Sequence, residues 1–173
     1  TVIASRLPEG TLAVFNFAND LQGLPQTLLA LSFATAAFPM LSQLWVKSES
    51  EQFKKLFQRT ISEIFLWLIP IALILFAFRQ PMVQLTLNYG RFDEFAQAKT
   101  AWTLAVFLLG LPAQGALLLL VRTFFAMGES RLPLISAIFG GITTILVASA
   151  LGKWWGGAGL AAGVVLASLL QST

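Results

Sequence analysis

The segment from Gly10 to Ser42 joins a polar N-terminal part to a C-terminal part that is apolar enough to lie in lipid. The polar part carries five amide and carboxylate side chains, Asn16, Asn19, Asp20, Gln22 and Gln26. A charged side chain at membrane depth costs about 2.5–3.5 kcal/mol on insertion scales, so such residues usually face a protein interior or a water-filled cavity. The segment therefore predicts a membrane-spanning helix that lines a hydrated path, as in a transporter.

The composition of the 173-residue chain agrees with a membrane protein. Hydrophobic residues make up 57% of it and charged residues 11%, whereas a typical soluble domain carries roughly 25% charged residues. The chain contains no His and no Cys, which excludes disulfides, thiolate or imidazole metal sites, and His or Cys catalysis within it. No paired-carboxylate or nucleophile–base pattern is evident, so we expect a protein that is not an enzyme and has no cofactor or metal site.

The formal net charge of +3 comes from 11 basic and 8 acidic residues. The basic residues are scattered and many flank apolar runs, which argues against nucleic acid as a partner. The densest basic cluster lies at residues 47–59, after the first apolar segment, and the positive-inside rule places it on the cytoplasmic side. This orientation puts six basic residues inside and five outside, so the preference depends on that cluster.

Five apolar segments approach the roughly 20 helical residues that cross a bilayer core of about 30 Å. They predict an all-α fold, a polytopic transmembrane helix bundle of about five spans, within one partial transmembrane domain over residues 1–173. The predicted spans are about 11–44, 60–78, 100–125, 132–151 and 156–171. The chain opens on Thr1 with a loop-like stretch and shows no signal peptide, so we expect it to be part of a longer transporter.

Proline and glycine residues interrupt several of these spans. An interior proline removes a helix hydrogen bond and produces a kink. The predicted hinge or kink positions are Gly23, Pro25, Pro70, Pro112 and Gly140. Glycine and alanine residues of the fifth segment form a small-residue face, which suits close helix packing better than a ligand.

The charged stretch from Ser48 to Arg59 predicts a helix that extends the second span along the membrane interface, with a solvated helical arm as the alternative. Its acidic residues come early and its basic residues late, as the helix dipole favours, and either Ser48 or Ser50 is expected to cap its start. Glu63 follows Arg59 by four residues, and we expect an ion pair worth about 0.3–0.5 kcal/mol.

The polar residues of the first span form two neighbouring stripes on a helix. One stripe has spacings of four, three and four residues and comprises Asn16, Asp20, Gly23 and Thr27. The other comprises Asn19, Gln22 and Gln26. We expect the stripes to form the wall of a substrate cavity in which Asp20 binds a cation or pairs with an arginine. The alternative is a hydrated helix end at the interface.

Arg122 falls near the end of the third span and has two interpretations. Its guanidinium either extends to the lipid headgroups, as long basic side chains do at span ends, or grips a phosphate group of the substrate. The residues predicted to contact substrate in the cavity are accordingly Asn16, Asn19, Asp20, Gln26 and Arg122.

Four stretches together resemble the MurJ (MviN) family of lipid II flippases, within the multidrug/oligosaccharidyl-lipid/polysaccharide exporter superfamily. The first, NFANDLQGLPQTLLALSFATAAFPMLS, is similar to the family's A-x-x-L-x-x-L-P followed by F-P-x-L-S. The others are LNYGRF at 87–92, VRTFFAMGESRLP at 121–133 and GGAGLAAGVVLASLLQ at 156–171. Their order and spacing agree with the family across nearly the whole chain.

This resemblance implies a function, a location and partners. It implies about five spans from the second half of an all-helical transporter in the bacterial inner (plasma) membrane, completed by an N-terminal half and surrounded by membrane lipids. Such a transporter would flip lipid II, or a related polyprenyl-pyrophosphate-linked glycan, by alternating access. The alternatives are a flippase of another polysaccharide-linked lipid, a cation-coupled exporter of small amphipathic molecules, which a membrane carboxylate would favour, and a non-transporting scaffold.

The chain departs from the family pattern at two places. Some relatives carry an arginine at the position of Asp20, which would attract pyrophosphate, whereas Asp20 repels it unless protonated or paired. Thr143 or Thr144 stands where some relatives have Asn, so the resemblance leaves a coupling ion open. Within the NYGRF stretch, which follows the family pattern, we expect Gly90 to supply a turn with positive φ.

Overall fold

The computed structural model describes residues 11–87, 94–155 and 157–172, and within these ranges every regular element is a helix. The α-helices are α1 (Thr11–Pro25), α2 (Ser32–Val46), α3 (Ser50–Ala77), α4 (Arg79–Leu87), α5 (Glu94–Ala126), α6 (Arg131–Trp155) and α7 (Gly157–Ser172). A π-helical turn, Gln26–Leu31, joins α1 to α2. The predicted all-α fold is thereby confirmed, while the predicted turn at Gly90 lies outside the described residues.

Three described helical stretches are long and apolar enough to cross a membrane, namely Ala13–Val46, Ser50–Ala77 and Gln97–Ala126. Two shorter apolar helices, Arg131–Val147 and Gly157–Gln171, follow them. These five stretches match the five predicted apolar segments in order. That the two shorter ones also cross the membrane stays a prediction.

The helix that begins at Thr11 widens after Pro25 instead of breaking there. Pro25 has no N–H, so the carbonyl of Leu21 cannot receive the hydrogen bond that residue 25 would normally donate. Pro25 keeps helical dihedral angles (φ −63°, ψ −34°), and the next six residues form the π-helical turn before α2 starts at Ser32. Such turns are rare and often lie at functional sites.

The other predicted hinge positions lie inside continuous helices. Pro70 is in α3 and Pro112 is in α5, and both helices continue through them. Gly140 is buried in α6 because the side chain of Gln171 occupies the space that a Cβ would take. Bending at these positions stays a prediction.

The charged stretch forms the first part of α3, since this helix begins at Ser50 and runs without interruption through the second predicted span. The prediction that Ser48 or Ser50 caps this helix is wrong. Glu49 occupies the cap position without a side-chain hydrogen bond, and Ser48 instead takes a positive φ of 58° in the preceding turn. The predicted ion pair is confirmed, with 2.9 Å between Arg59 Nε and Glu63 Oε1.

α5 lies at the centre of the bundle and contacts α1, the π-helical turn, α2, α3, α4 and α7. Its largest fully buried side chains are Leu104, Phe107, Leu108, Leu111 and Leu119. α6 packs mainly on α7, which lies between it and α5. The small residues of α7 permit this packing, because Gly159, Gly163 and Ala167 are buried.

α1, the π-helical turn and α2 run in the same direction as α5. Near the start of α1, Phe15 stacks on Phe107 with the ring centroids 5.3 Å apart. Further along, Ala30 of the π-helical turn lies beside Gly115, and Ala37 of α2 clusters with Ala126 at the end of α5. This register fixes which residues of α5 lie next to the polar part of α1.

Candidate functional site

One side of α1 carries three exposed polar side chains, those of Asn16, Asn19 and Asp20. Asn16 and Asp20 are four residues apart and therefore lie one above the other on the helix, with Asn19 beside them. The opposite side of α1 is buried, as Val14 and Ala18 show, and α1 packs mainly on α5. The three polar side chains, called the polar face of α1 below, thus point away from the bundle core.

Gly23 leaves open space next to this polar face. Apart from its chain neighbours and the backbone of its own helix, no described atom lies within 4 Å of the point where a Cβ would stand at Gly23, whereas a Cβ at Gly115 of α5 would overlap the side chain of Leu68. Because Gly23 follows Asp20 by three residues, the open space borders the Asp20 carboxylate. Among the described residues, none therefore blocks the approach to Asp20 along this side of the helix.

Gln26 and Arg122 lie apart from the polar face of α1. Gln26 is half-buried at the start of the π-helical turn, and Arg122 is half-buried near the end of α5. Gln114 of α5 hydrogen-bonds Gln22 of α1, and Arg122 follows Gln114 by eight residues, which corresponds to about 12 Å along the helix axis. The structure thus brings Asn16, Asn19 and Asp20 together and places Arg122 at another level of the bundle. Their contact with substrate stays a prediction.

Two amides connect the polar face to the core. Gln22 was expected on the cavity wall as part of the second stripe but is buried instead, and Gln114 was not included in the site by sequence reasoning. Gln22 of α1 and Gln114 of α5 are 2% and 7% exposed. Gln22 Nε2 donates to Asn19 Oδ1 and to Gln114 Oε1, with both distances at 3.3 Å. Gln22 Oε1 and Gln114 Nε2 are buried and make no hydrogen bond to any other described residue.

The signal that could have found Gln114 is its isolation in an apolar run. Gln114 is the one strongly polar residue in the stretch from Trp102 to Val121. A polar side chain at such a place in a membrane protein usually faces the bundle interior and pairs with another polar group. The pairing with Gln22 depends on the register of α1 against α5, across 92 residues of chain.

Asp20 is the one charged residue of α1 within the described ranges, and it therefore sets the charge of the site. Asp20 makes no ion pair or hydrogen bond within the described part of the chain. Arg122 has no such partner within the same ranges either. No group of three or more metal-ligating side chains occurs among the described residues. An arginine or cation that neutralises Asp20 would therefore have to come from beyond these ranges.

A separate groove lies between α5, α6 and α7 and has a volume of about 490 Å³. It exists because α6 approaches α5 at few points and packs mainly on α7. Its wall is mostly apolar, with Leu120, Phe124 and Phe139 among its residues and the polar groups of Thr143 and Gln171 at its side. None of the predicted substrate-contact residues lines it.

Comparison with known proteins identifies relatives along the whole chain. A family model described as lipid II flippase MurJ matches residues 1–173. Lipid II flippase MurJ of Burkholderia cenocepacia is 33% identical over 138 residues, which cover 80% of this chain and 27% of the relative. A probable lipid II flippase MurJ of Bdellovibrio bacteriovorus is 27% identical over 175 residues, which cover 98% of this chain and 32% of the relative.

A solved structure of lipid II flippase MurJ in an inward closed conformation matches the fold with a TM-score of 0.87 at 21% identity. The match covers 98% of this chain and 36% of that chain. Together with the relatives, it shows that the chain spans about a third of the length of the proteins it matches.

Proposed function

The chain belongs to the lipid II flippase MurJ family, and we propose that it forms part of a longer protein that moves lipid II across the bacterial inner membrane. The observation that carries this proposal is the family match over the whole chain. The family is one of transporters, and the long apolar helices are those of a membrane protein. The remainder of the longer protein and the surrounding membrane lipids are its partners in this proposal.

The polar face of α1 supports a path for the polar headgroup of such a substrate. A headgroup that carries sugars and pyrophosphate needs a hydrated, hydrogen-bonding route, while the attached lipid tail stays in the apolar phase. Asn16, Asn19 and Asp20 offer amide and carboxylate groups on one exposed side of α1. In the proposal they form one wall of the route, and the remainder of the protein forms the opposite wall.

Asp20 constrains how this wall works. Its carboxylate repels a pyrophosphate group, so it needs a positive partner when the headgroup passes. We infer that Asp20 pairs with a basic side chain of the remainder of the protein or with a coupling cation. The open space beside Gly23 gives such a partner access to the carboxylate.

Alternating access requires helices that bend, and the π-helical turn offers one place for it. The turn directly follows Pro25, where the regular i to i+4 hydrogen-bond pattern is interrupted. It lies between the polar face of α1 and the apolar α2. In the proposal the turn lets α1 change its angle while α2 keeps its packing on α3 and α5.

The test uses the full-length protein in cells depleted of their own lipid II flippase. We expect the wild type to restore peptidoglycan synthesis and the exposure of lipid II on the outer leaflet. We expect Asp20→Leu to lower that exposure by about tenfold or more, the effect of one lost charge-assisted interaction. Leu73→Ala is the matched control, because Leu73 is 65% exposed on α3 and away from the polar face.

Two outcomes would contradict the proposal in different ways. A wild-type protein that inserts in the membrane but restores nothing would point to another cargo, such as small amphipathic molecules exported with a cation. Equal transport by Asp20→Leu and Leu73→Ala would remove Asp20 from the path and leave the cargo unchanged.

A further inference from the structure

A chain of three amides runs from the core to the polar face of α1. Gln114 of the central helix α5 stands at the inner end, Gln22 lies between the helices, and both are buried, whereas Asn19 stands exposed at the outer end. The two hydrogens of Gln22 Nε2 serve both bonds, one to Gln114 Oε1 and one to Asn19 Oδ1. Asn19 Nδ2 makes no hydrogen bond within the described part of the chain. One end of the Asn19 amide is therefore held and the other points outward.

Stability does not explain why amides occupy these two buried positions. Gln22 Oε1 and Gln114 Nε2 are buried without a hydrogen-bond partner among the described residues, which is unfavourable compared with apolar groups of the same shape. Met and Leu side chains would fill similar volumes without this cost. Local features that oppose stability occur most often where they serve function.

The three linked amides also do not suit a bare cation as a ligand. Its two remaining buried atoms are one acceptor, Gln22 Oε1, and one donor, Gln114 Nε2. Reversing all three amides together would keep both bonds and again leave one donor and one acceptor. In either orientation the three linked amides are neutral, and they hold the Asn19 amide with one polar atom inward and the other outward.

We propose that Gln22 and Gln114 are positioning residues, which hold the Asn19 amide ready to hydrogen-bond the polar headgroup of the lipid-linked substrate. An exposed asparagine otherwise loses rotational freedom when it binds, and fixing it beforehand removes that cost. Gln114 acts at a distance through Gln22, and neither residue touches the substrate. This inference rests on the proposed function, because the headgroup is that of the proposed cargo.

The test replaces both buried amides by apolar groups in the full-length protein. We expect Gln22→Met combined with Gln114→Leu to unfold at the wild-type temperature or above, because the unsatisfied atoms are gone. We expect its exposure of lipid II in flippase-depleted cells to fall by up to about tenfold, because Asn19 is still present but has to be ordered when it binds. Asn19→Ala should show at least this loss, and the triple variant should show no more loss than Asn19→Ala.

Ser168→Ala is the matched control for removing a buried polar group. Ser168 is 4% exposed, and its hydroxyl donates to the carbonyl of Val165 within α7. It has no connection to Asn19, so we expect wild-type transport.

Three outcomes would overturn the inference while the proposed function stands. The first is a folded double variant that transports as the wild type does, which is what a purely structural role predicts. The second is a triple variant whose loss is the product of the separate losses. The third is wild-type transport by Asn19→Ala, which decides the matter even if the double variant does not accumulate, because position 19 is exposed. A wild type that exposes no lipid II would instead overturn the proposed function, and the inference with it.

Discussion

α3 and α5 are almost equally apolar, yet one lies at the edge of the bundle and the other at its centre. Their most apolar 18-residue windows have mean hydropathies of 2.2 and 2.3. In α3, 22% of that window is buried within the chain, and in α5 the share is 56%. Hydropathy therefore identifies both as candidate spans and does not tell which one other helices surround.

Small residues explain why α5 is more deeply buried than α3. A Cβ at Gly110 of α5 would overlap Val165 of α7, and one at Gly115 would overlap Leu68 of α3. α3 instead exposes large side chains, among them Leu66, Trp67 and Leu73. Lipid tails are as apolar as Leu, so helices associate in a membrane where small residues allow close contact rather than where hydrophobicity is highest.

The largest effect that would sharpen this comparison is expected from Phe107→Ala in α5. Phe107 is fully buried and stacks on Phe15. In a membrane, the phenyl group gains little from transfer between lipid and the protein interior, because both are apolar. The destabilisation therefore comes mainly from the cavity that is left. We expect the free energy of unfolding to fall by about 3 kcal/mol, the lower end for Phe→Ala. The measurement is denaturant unfolding of the full-length protein in detergent micelles.

Leu66→Ala in α3 is the control for that prediction. Leu66 is 68% exposed, so its removal leaves no internal cavity and we expect a change within about 0.5 kcal/mol. Equal losses for the two variants would show that α5 is no more important to packing than α3.

The next effect in size is expected from Gly115→Leu in α5. The new side chain would collide with Leu68 and Ile64 of α3, and overpacking of this kind costs about 1–3 kcal/mol. Gly141→Leu in α6 is the control, because no described atom outside its own helix backbone and chain neighbours lies within 4 Å of a Cβ at that position. Unfolding in micelles measures both, and a Gly115→Leu variant as stable as Gly141→Leu would contradict the close approach of α3 and α5.

The order and type of the five apolar helical stretches were predictable because composition and apolar length dominate a membrane chain, whereas the short helix α4 was not predicted. The form of the distortion after Pro25 was not. A proline specifies which hydrogen bond is lost but not that a π-helical turn follows it, and in the structure that turn packs on α5 with Ala30 beside Gly115. The predicted cap failed for a similar reason, because the reversal between α2 and α3 places Ser48 at a positive φ.

The candidate site was likewise predictable only in part from the sequence. Helical periodicity within one segment was sufficient to place Asn16, Asn19 and Asp20 on one side of α1. It could not show that Gln22 points inward to Gln114, because that contact joins residues 92 positions apart. Periodicity describes a single helix, and the register between two helices depends on side-chain packing along their whole contact.

The smallest effect is expected in the charged N-terminal part of α3, whose exposure differs most from that of the buried α5. The Arg59 and Glu63 side chains are 78% and 36% exposed, so solvent screens the pair and we expect it to contribute about 0.3–0.5 kcal/mol. A double-mutant cycle with Arg59→Gln and Glu63→Gln, followed by unfolding in micelles, isolates that value. The coupling should shrink at high salt, since exposed pairs are screened. A coupling several times larger that persists at high salt would mean that this part of α3 is enclosed by another segment, and α3 would then be a buried helix like α5.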